Sequence, residues 1–581
     1  TADAVTRAVW KYFARYVPYW LEKTGLPANS ALALQTAKGI DGLRADFGQG
    51  MPPQFWEYTI NVARAHKWNF VFMTESLDGG AVTYRSNRHF DILNENIVFP
   101  WQSASNTTGH RDIFEGRRSS YGQGLVLLNN TSHDEAGYAD PWEAFIRYAV
   151  GSTNDGAPMV MYGQEIGTSN ANSFTHYETN FGKNIPHFKR FNSMQPQWTA
   201  WANDGFGVSQ LRPAYSGVGK AREFSPALRS SNRWFLNPIG TTTADAEIFA
   251  VAKYESSGSS PVTSDVVLAF QNLSRNTTQA NTFGIPDVLA NNMGLKSGRR
   301  YNAKNTAAYL GPNNEYPSRR DSFLWGANGF TREDLITNGL YVSLNPVPAT
   351  TSAWSTAPFE AQFLKVYDVT PLSAPASSPL VASYALDGSV IFSWSAVIDA
   401  EGLVPRYLLT VTRSNGQVTT HETTDTSLTI TGIPSGVTAT ATVMTLNPND
   451  VSIASSATSS SGQTLSITSA GDEDADGISN AAEVLAGTNP LIADAFAPQI
   501  TSPASFNATV GLAFSTTLSA TGDSPINYAA TDLPAGLTLS GGVISGTPLA
   551  AGTFSNASLT ASNTVGTANK SLTFTIAKGT P

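Results

Sequence analysis

Residues 40–46, Ile40-Asp41-Gly42-Leu43-Arg44-Ala45-Asp46, decide the fold: a short apolar run ends directly on a carboxylate and opens into the Gly-rich loop Phe47-Gly48-Gln49-Gly50. The same design recurs in Phe70-Val71-Phe72-Met73-Thr74-Glu75, Phe90-Asp91-Ile92-Leu93, Leu125-Val126-Leu127-Leu128 and Pro158-Met159-Val160-Met161. Each run is followed by a polar or Gly-containing loop and then by a longer, often helical segment. This rhythm predicts parallel strands covered by helices, so residues 1–230 read as an α/β region. Upstream of the first run, Val5, Val9, Phe13, Val17 and Leu21 recur at steps of four, which predicts an amphipathic helix.

Working outward, residues 231–371 change to β character, with Ile248-Phe249-Ala250-Val251-Ala252 and Val266-Val267-Leu268-Ala269-Phe270. Pro371 to Pro379 reads as a linker. Beyond it the chain is rich in Thr, Ser, Val and Gly with regular turn signals, which predicts small β-sandwiches over 377–468 and 498–577. An acidic insert occupies 469–497. The fold class expected is therefore multidomain: a partial β/α barrel followed by all-β domains. Thr1 in place of a Met, and the linker-like Lys578-Gly579-Thr580-Pro581, lead us to expect that both ends continue in a longer precursor.

Composition sets bounds. The chain has 581 residues, 36 Lys and Arg against 45 Asp and Glu, and a net charge of −9. With no basic stripe, nucleic acid is not an expected partner. No run of about 18 apolar residues occurs, so no membrane-spanning helix is expected. Cysteine is absent, which excludes disulfides and thiolate metal sites. A Cys-free, Thr/Ser-rich, modular chain suits a secreted or cell-surface protein of bacterial type. Of the seven histidines none shows the His-x-x-x-His spacing of a zinc site.

Three carboxylates carry the chemistry. Asp46 and Glu75 end two of the predicted strands, and Asp134 follows a third in Ser132-His133-Asp134. In a β/α barrel the C-terminal strand ends converge on one face, where active sites are built. Retaining glycosidases need one carboxylate as nucleophile and one carboxylic acid as acid/base, about 5–5.5 Å apart. Arg44 stands two residues before Asp46, so on a strand both side chains leave the same face, and a fixed guanidinium there favours the ionised form of a carboxylate.

The flanks of these acids resemble the alpha-amylase family, glycoside hydrolase family 13. Gly42-Leu43-Arg44-Ala45-Asp46 matches its Gly-x-Arg-x-Asp region, Glu75 matches the acid/base after strand five, and Ser132-His133-Asp134 matches its Asn-His-Asp end. Gly156-Ala157-Pro158-Met159-Val160-Met161-Tyr162-Gly163-Gln164-Glu165 is similar to the pattern after strand eight. The resemblance covers residues 1–371. It implies Asp46 as nucleophile, Glu75 as general acid/base, Asp134 as transition-state stabiliser, and Arg44 and His133 as their partners. Gln49 and Gly50 stand where many members have Lys-His, and Ser132 where Asn is usual. On this resemblance the chain supplies strands four to eight only, and five strands cannot close an eight-stranded barrel; a fragment of a larger enzyme is expected. Trp101 and Tyr84 are candidates for a sugar platform, although a core role is the simpler expectation for each.

The acidic insert reads as a twelve-residue calcium loop. Asp472, Asp474, Asp476, the Ile478 carbonyl, Asn480 and Glu483 fall at positions 1, 3, 5, 7, 9 and 12, with Gly477 at the sharp turn. A helix over Ala481–Ala486 and the stop Gly487-Thr488-Asn489-Pro490 should follow, and this segment resembles calcium-bound linkers of the dockerin or thrombospondin type 3 kind. Residues 377–468, with Trp394 and Tyr407, resemble a fibronectin type III domain. Residues 498–577, with Leu533-Pro534-Ala535-Gly536-Leu537-Thr538-Leu539 and Gly542-Val543-Ile544-Ser545-Gly546-Thr547-Pro548, resemble a bacterial immunoglobulin-like domain. The activity expected is retaining hydrolysis of α-glucosidic bonds in starch-like glucans. The alternatives are a transglycosylase or branching enzyme, in which a sugar hydroxyl intercepts the same intermediate, and a non-catalytic polysaccharide-binding surface protein.

Overall fold

The structure, a computed structural model, describes residues 3–579 apart from 76–89, 95–96, 119–123, 131–140, 162–163, 167–198, 200–201, 204–207, 275–276, 309–321, 346–360, 377–380, 385–389, 432–438, 460–470, 473, 489 and 491–492. It falls into two compact units. One comprises residues 1–373 with 398–406 and 445–455; the other comprises 374–397, 407–444 and 456–581.

The first unit begins with five strands: β1 (Gly42–Ala45), β2 (Val71–Glu75), β3 (Ile92–Asn94), β4 (Leu125–Asn129) and β5 (Ala157–Met159). They lie side by side in chain order, and every neighbouring pair is parallel. Consecutive parallel order, with helices on the crossovers, is the arrangement of part of a β/α barrel. It places the ends of β1 and β2 next to each other on one rim. Gly42 permits the close pairing: a Cβ there would lie 2.5 Å from the Val71 carbonyl oxygen. The crossover helix Pro53–His66 starts on a proline at its first position, where no N–H is needed, and carries Arg64 and His66 in its last turn. Its buried Phe55, Thr59, Ile60 and Ala63 form one stripe. Ile60 and Ala63 join Phe72, Leu93, Val126 and Leu128 of the strands and Phe145, Ile146 and Ala149 of the helix Pro141–Gly151 in one core.

Two expectations change in detail. The N-terminal stripe is split: the chain forms helices Ala4–Ala14 and Tyr16–Lys23, with Val17 and Leu21 buried but Val5, Val9 and Phe13 exposed. Steps of four drift off one face of a 3.6-residue helix, and the break at Arg15 resets the face. In the first helix Ala14 is buried and Trp10 meets Phe55 edge-on. β3 and β5 are also shifted by one or two residues from the apolar runs that announced them.

The same unit continues into an antiparallel six-stranded sheet, in the order 330–331, 300–305, 361–368, 266–272, 248–254, 233–235. Every residue of Ile248–Tyr254 and Val266–Asn272 is buried. Alternation sorts them: Phe249, Val251, Val267 and Ala269 face the core shared with the parallel strands. Ile248, Ala250, Ala252, Val266, Leu268 and Phe270 face a second core.

The second unit holds two β modules, each with its own core. In one, Phe392, Trp394, Tyr407, Leu409, Val411 and Val443 are packed together, and the Tyr407 hydroxyl accepts a hydrogen bond from the Val397 N–H at 2.9 Å. In the other, Ser505–Thr509 pairs in parallel with Thr567–Ala577, and Phe506, Ile544, Leu559, Leu572 and Phe574 form the core. Among the described residues no helix is long and apolar enough to cross a membrane.

Candidate functional site

At the C-terminal edge of β1 and β2 the backbone register pairs Arg44 with Met73 and Ala45 with Thr74, which brings Asp46 and Glu75 to the same rim. Arg44 joins them. Its Nη1 donates to Asp46 Oδ1, and its Nη2 lies 3.1 Å from Glu75 Oε2. The three groups differ in their contact with water: the Asp46 side chain is 78% exposed, Arg44 26% and Glu75 12%. One carboxylate is open to an incoming molecule while the other is enclosed by protein.

The loop after β1 completes the enclosure. Phe47 adopts a left-handed backbone (φ 47°), unusual for a residue with a side chain. That turn points its N–H at Glu75 Oε2, 2.8 Å away. Gly48 is buried against β2: a Cβ would meet Thr74 Oγ1 at 1.9 Å. The Trp56 indole N–H holds the Gly48 carbonyl at 2.9 Å, tying the loop to the crossover helix. Oε2 of Glu75 therefore accepts from the Phe47 N–H and is ion-paired with the Arg44 guanidinium.

The remaining expected site residues fare differently. His133 and Asp134, with Ser132, lie outside the described residues, as does Tyr84. Trp101 is 1% exposed and packs edge-on against Phe114, so it is a core residue and not a sugar platform. His110 is likewise internal; burial pushes its imidazole down to about 4, with the nearby Arg147 charge acting in the same direction. One arrangement had no sequence signal. Gln164 is buried just past β5, and its Nε2 donates to Asn130 Oδ1 at 2.8 Å and to the Tyr215 hydroxyl at 2.9 Å. Asn130 Nδ2 donates in turn to the Ala144 carbonyl at 2.6 Å. This network fixes the chain at the end of β4, immediately before the Ser132-His133-Asp134 segment. Gln164 and Glu165 belong to the pattern noted after the fifth run, but nothing in that pattern indicated a buried amide.

A second cluster lies in the other unit. Asp472 Oδ1 accepts from the Asp476 N–H at 3.1 Å and its Oδ2 from the Gly477 N–H at 2.9 Å, while Asp476 Oδ1 accepts from the Ile478 N–H at 2.8 Å. Gly477, at φ 90°, makes the turn. The helix runs over Asn480–Ala486, with Asn480 and Glu483 fully buried. Ligand oxygens of Asp472, Asp474 and Asp476 lie within 4.8 Å of one another, and so do those of Asp476, Glu483 and Asp494. Asp494 is outside the twelve-residue window and was not expected here.

Residues 497–577 match the family model described as a putative Ig domain. No curated protein matches the sequence. Among solved structures, the chain is similar to an alpha-amylase of Anoxybacillus, at 14% identity over 64% of this chain and 64% of that one, with a TM-score of 0.38. It is also similar to the alpha-amylase of Geobacillus thermoleovorans solved with acarbose, at 14% identity over 63% and 66%, TM-score 0.39. A third is the cyclic alpha-maltosyl-(1→6)-maltose hydrolase of Arthrobacter globiformis, at 15% identity over 48% and 55%, TM-score 0.33. The chain thus spans 64% of the length of the first of these.

Proposed function

We propose that residues 1–371 belong to a retaining glycoside hydrolase that cleaves α-glucosidic bonds of starch-like glucans by double displacement. The observation that carries this reading is the Arg44 bridge between an open carboxylate, Asp46, and an enclosed one, Glu75, on adjoining strand ends. In this reading Asp46 attacks the anomeric carbon, held in place by the Arg44 guanidinium. Glu75 protonates the departing oxygen and then, as a carboxylate, activates the water that releases the sugar. Arg44 and the Phe47 N–H hold Oε2, so the carboxyl plane is fixed between the two steps. By the resemblance, Asp134 stabilises the oxocarbenium-like charge and His133 is a partner of the reacting sugar and carboxylates. The β modules, including the Ig-like residues 497–577, act as spacers of a secreted or surface-held enzyme.

The test is substitution in the natural full-length protein. Asp46→Asn should lower turnover of maltooligosaccharides by about 10³-fold or more while circular dichroism and melting temperature stay unchanged. Turnover within tenfold of the parent would overturn the assignment.

A further inference from the structure

The acidic loop carries an observation that the hydrolase reading does not use. Glu483 is fully buried, and neither of its carboxylate oxygens has a hydrogen-bond partner among the described residues; Asp474 Oδ2 is also buried and unpartnered. A buried carboxylate without a donor is costly to keep in a fold, and buried charges are normally paired or bound to a metal. The charged groups acting on Glu483 are all acids: Asp474, Asp476, Asp494 and Asp472. Three buried oxygens, Glu483 Oε1 and Oε2 and Asp474 Oδ2, thus lack a hydrogen to accept within two overlapping groups of carboxylates.

We propose that Asp472, Asp474, Asp476, Glu483 and Asp494 form a Ca²⁺ site, and that Asp494 makes the ion a fastener between the acidic loop and the Ig-like module. Five carboxylates supply the hard, oxygen-only, flexible donor set that Ca²⁺ takes, and more oxygens than the strict octahedron of Mg²⁺ accepts. Asp476 is the shared member: it belongs to both groups of converging oxygens, and its Oδ2 accepts from the Asp494 N–H at 2.9 Å. Two residues beyond Asp494, the Phe496 N–H donates to Asp523 Oδ2 at 3.0 Å, and the Asn563 amide donates to the Phe496 carbonyl at 2.7 Å and to the Asp523 carbonyl at 3.0 Å. An ion held by Asp494 therefore fixes the chain immediately before the point where two loops of the Ig-like module grip it. The twelve-residue window alone would leave that strand entry unanchored.

The experiment is calcium titration of the full chain by isothermal calorimetry at neutral pH, with limited proteolysis in CaCl₂ and in EGTA. The parent should bind Ca²⁺ saturably and at least tenfold tighter than Mg²⁺. Asp494→Asn should weaken Ca²⁺ binding by about 10-fold or more. Cleavage between residues 484 and 498 should be at least fivefold faster in EGTA for the parent, and equally fast with or without calcium for Asp494→Asn. No saturable binding by the folded parent up to about 10 mM CaCl₂, weaker than extracellular calcium modules, would overturn the site. Ca²⁺ affinity of a folded Asp494→Asn variant within twofold of the parent would overturn the role of Asp494. Should that variant fail to fold, the parent decides alone: calcium-independent cleavage at 484–498 refutes the fastener.

Discussion

Gly48→Ala probes the rim most sharply, because the structure fixes what the added methyl meets. An ideal Cβ would sit 1.9 Å from Thr74 Oγ1, 3.2 Å from Thr74 Cβ and 3.3 Å from the Glu75 carbonyl oxygen. Ordinary contact begins near 3.4 Å, so the loop and β2 must separate by more than an ångström or Thr74 must leave its rotamer. Thr74 is fully buried and its hydroxyl donates to the Glu75 carbonyl, so either route disturbs the strand end that carries Glu75. Overpacking of this kind costs about 1–3 kcal/mol. For a domain of this size that is a fall in melting temperature of about 2–4 °C per kcal/mol. The catalytic effect should exceed the thermal one: a displacement of about 1 Å at a reacting group costs about 100-fold in rate. Calorimetry and maltooligosaccharide kinetics on the natural protein read both effects. Gly48→Ala combined with Thr74→Ala removes the nearest clash and should recover at least half of each loss. A Gly48→Ala protein with unchanged melting temperature and turnover, or a double variant no better than the single, would refute the reasoning.

Other outcomes follow from the same geometry. Glu75→Gln should depress turnover severely on maltooligosaccharides but much less on α-glucosyl fluoride, whose leaving group needs little protonation; equal losses would remove Glu75 from the acid role. Gln164→Leu keeps the volume but removes the donations to the Asn130 oxygen and the Tyr215 hydroxyl, and should cost about 1–3 kcal/mol in thermal unfolding. For the acidic loop, the folded-state carboxyls of Glu483 and Asp474 are raised, so the folded chain binds more protons than the unfolded one just above the ordinary carboxylate range. Stability of the second unit in EGTA should then fall as pH rises from about 4 towards neutrality, and added Ca²⁺ should reverse the trend; a rise with pH in EGTA would contradict this.

What the sequence made legible was local and repetitive. Arg44-Ala45-Asp46 at a strand end, followed by Glu75 at the next, needed only the two-residue period of a strand and parallel order to be placed side by side. The buried runs Ile248–Tyr254 and Val266–Asn272 were equally plain, since a strand buried on both faces shows no alternation to misread. What escaped depends on contacts across the chain. The Phe47 turn and the clash behind Gly48 arise from how a loop packs on its neighbour. Gln164 is indistinguishable from a surface amide until Asn130 and Tyr215 are seen on either side. Val5, Val9 and Phe13 shared a stripe with Val17 and Leu21 only if one helix ran unbroken through Arg15. Asp494 lies eleven residues beyond Glu483, outside any fixed-spacing loop motif, and only folding brings it back to Asp476.

In the proposed reaction Asp46 is the residue that bonds to the sugar. Incubating the natural protein with 5-fluoro-α-D-glucosyl fluoride, which slows release of a covalent intermediate, and mapping the labelled peptide by mass spectrometry tests it directly. The prediction is a single glycosyl adduct on Asp46, absent from Asp46→Asn and long-lived in Glu75→Gln. An adduct on Glu75 or another side chain, or full turnover with no adduct on any residue, would contradict it.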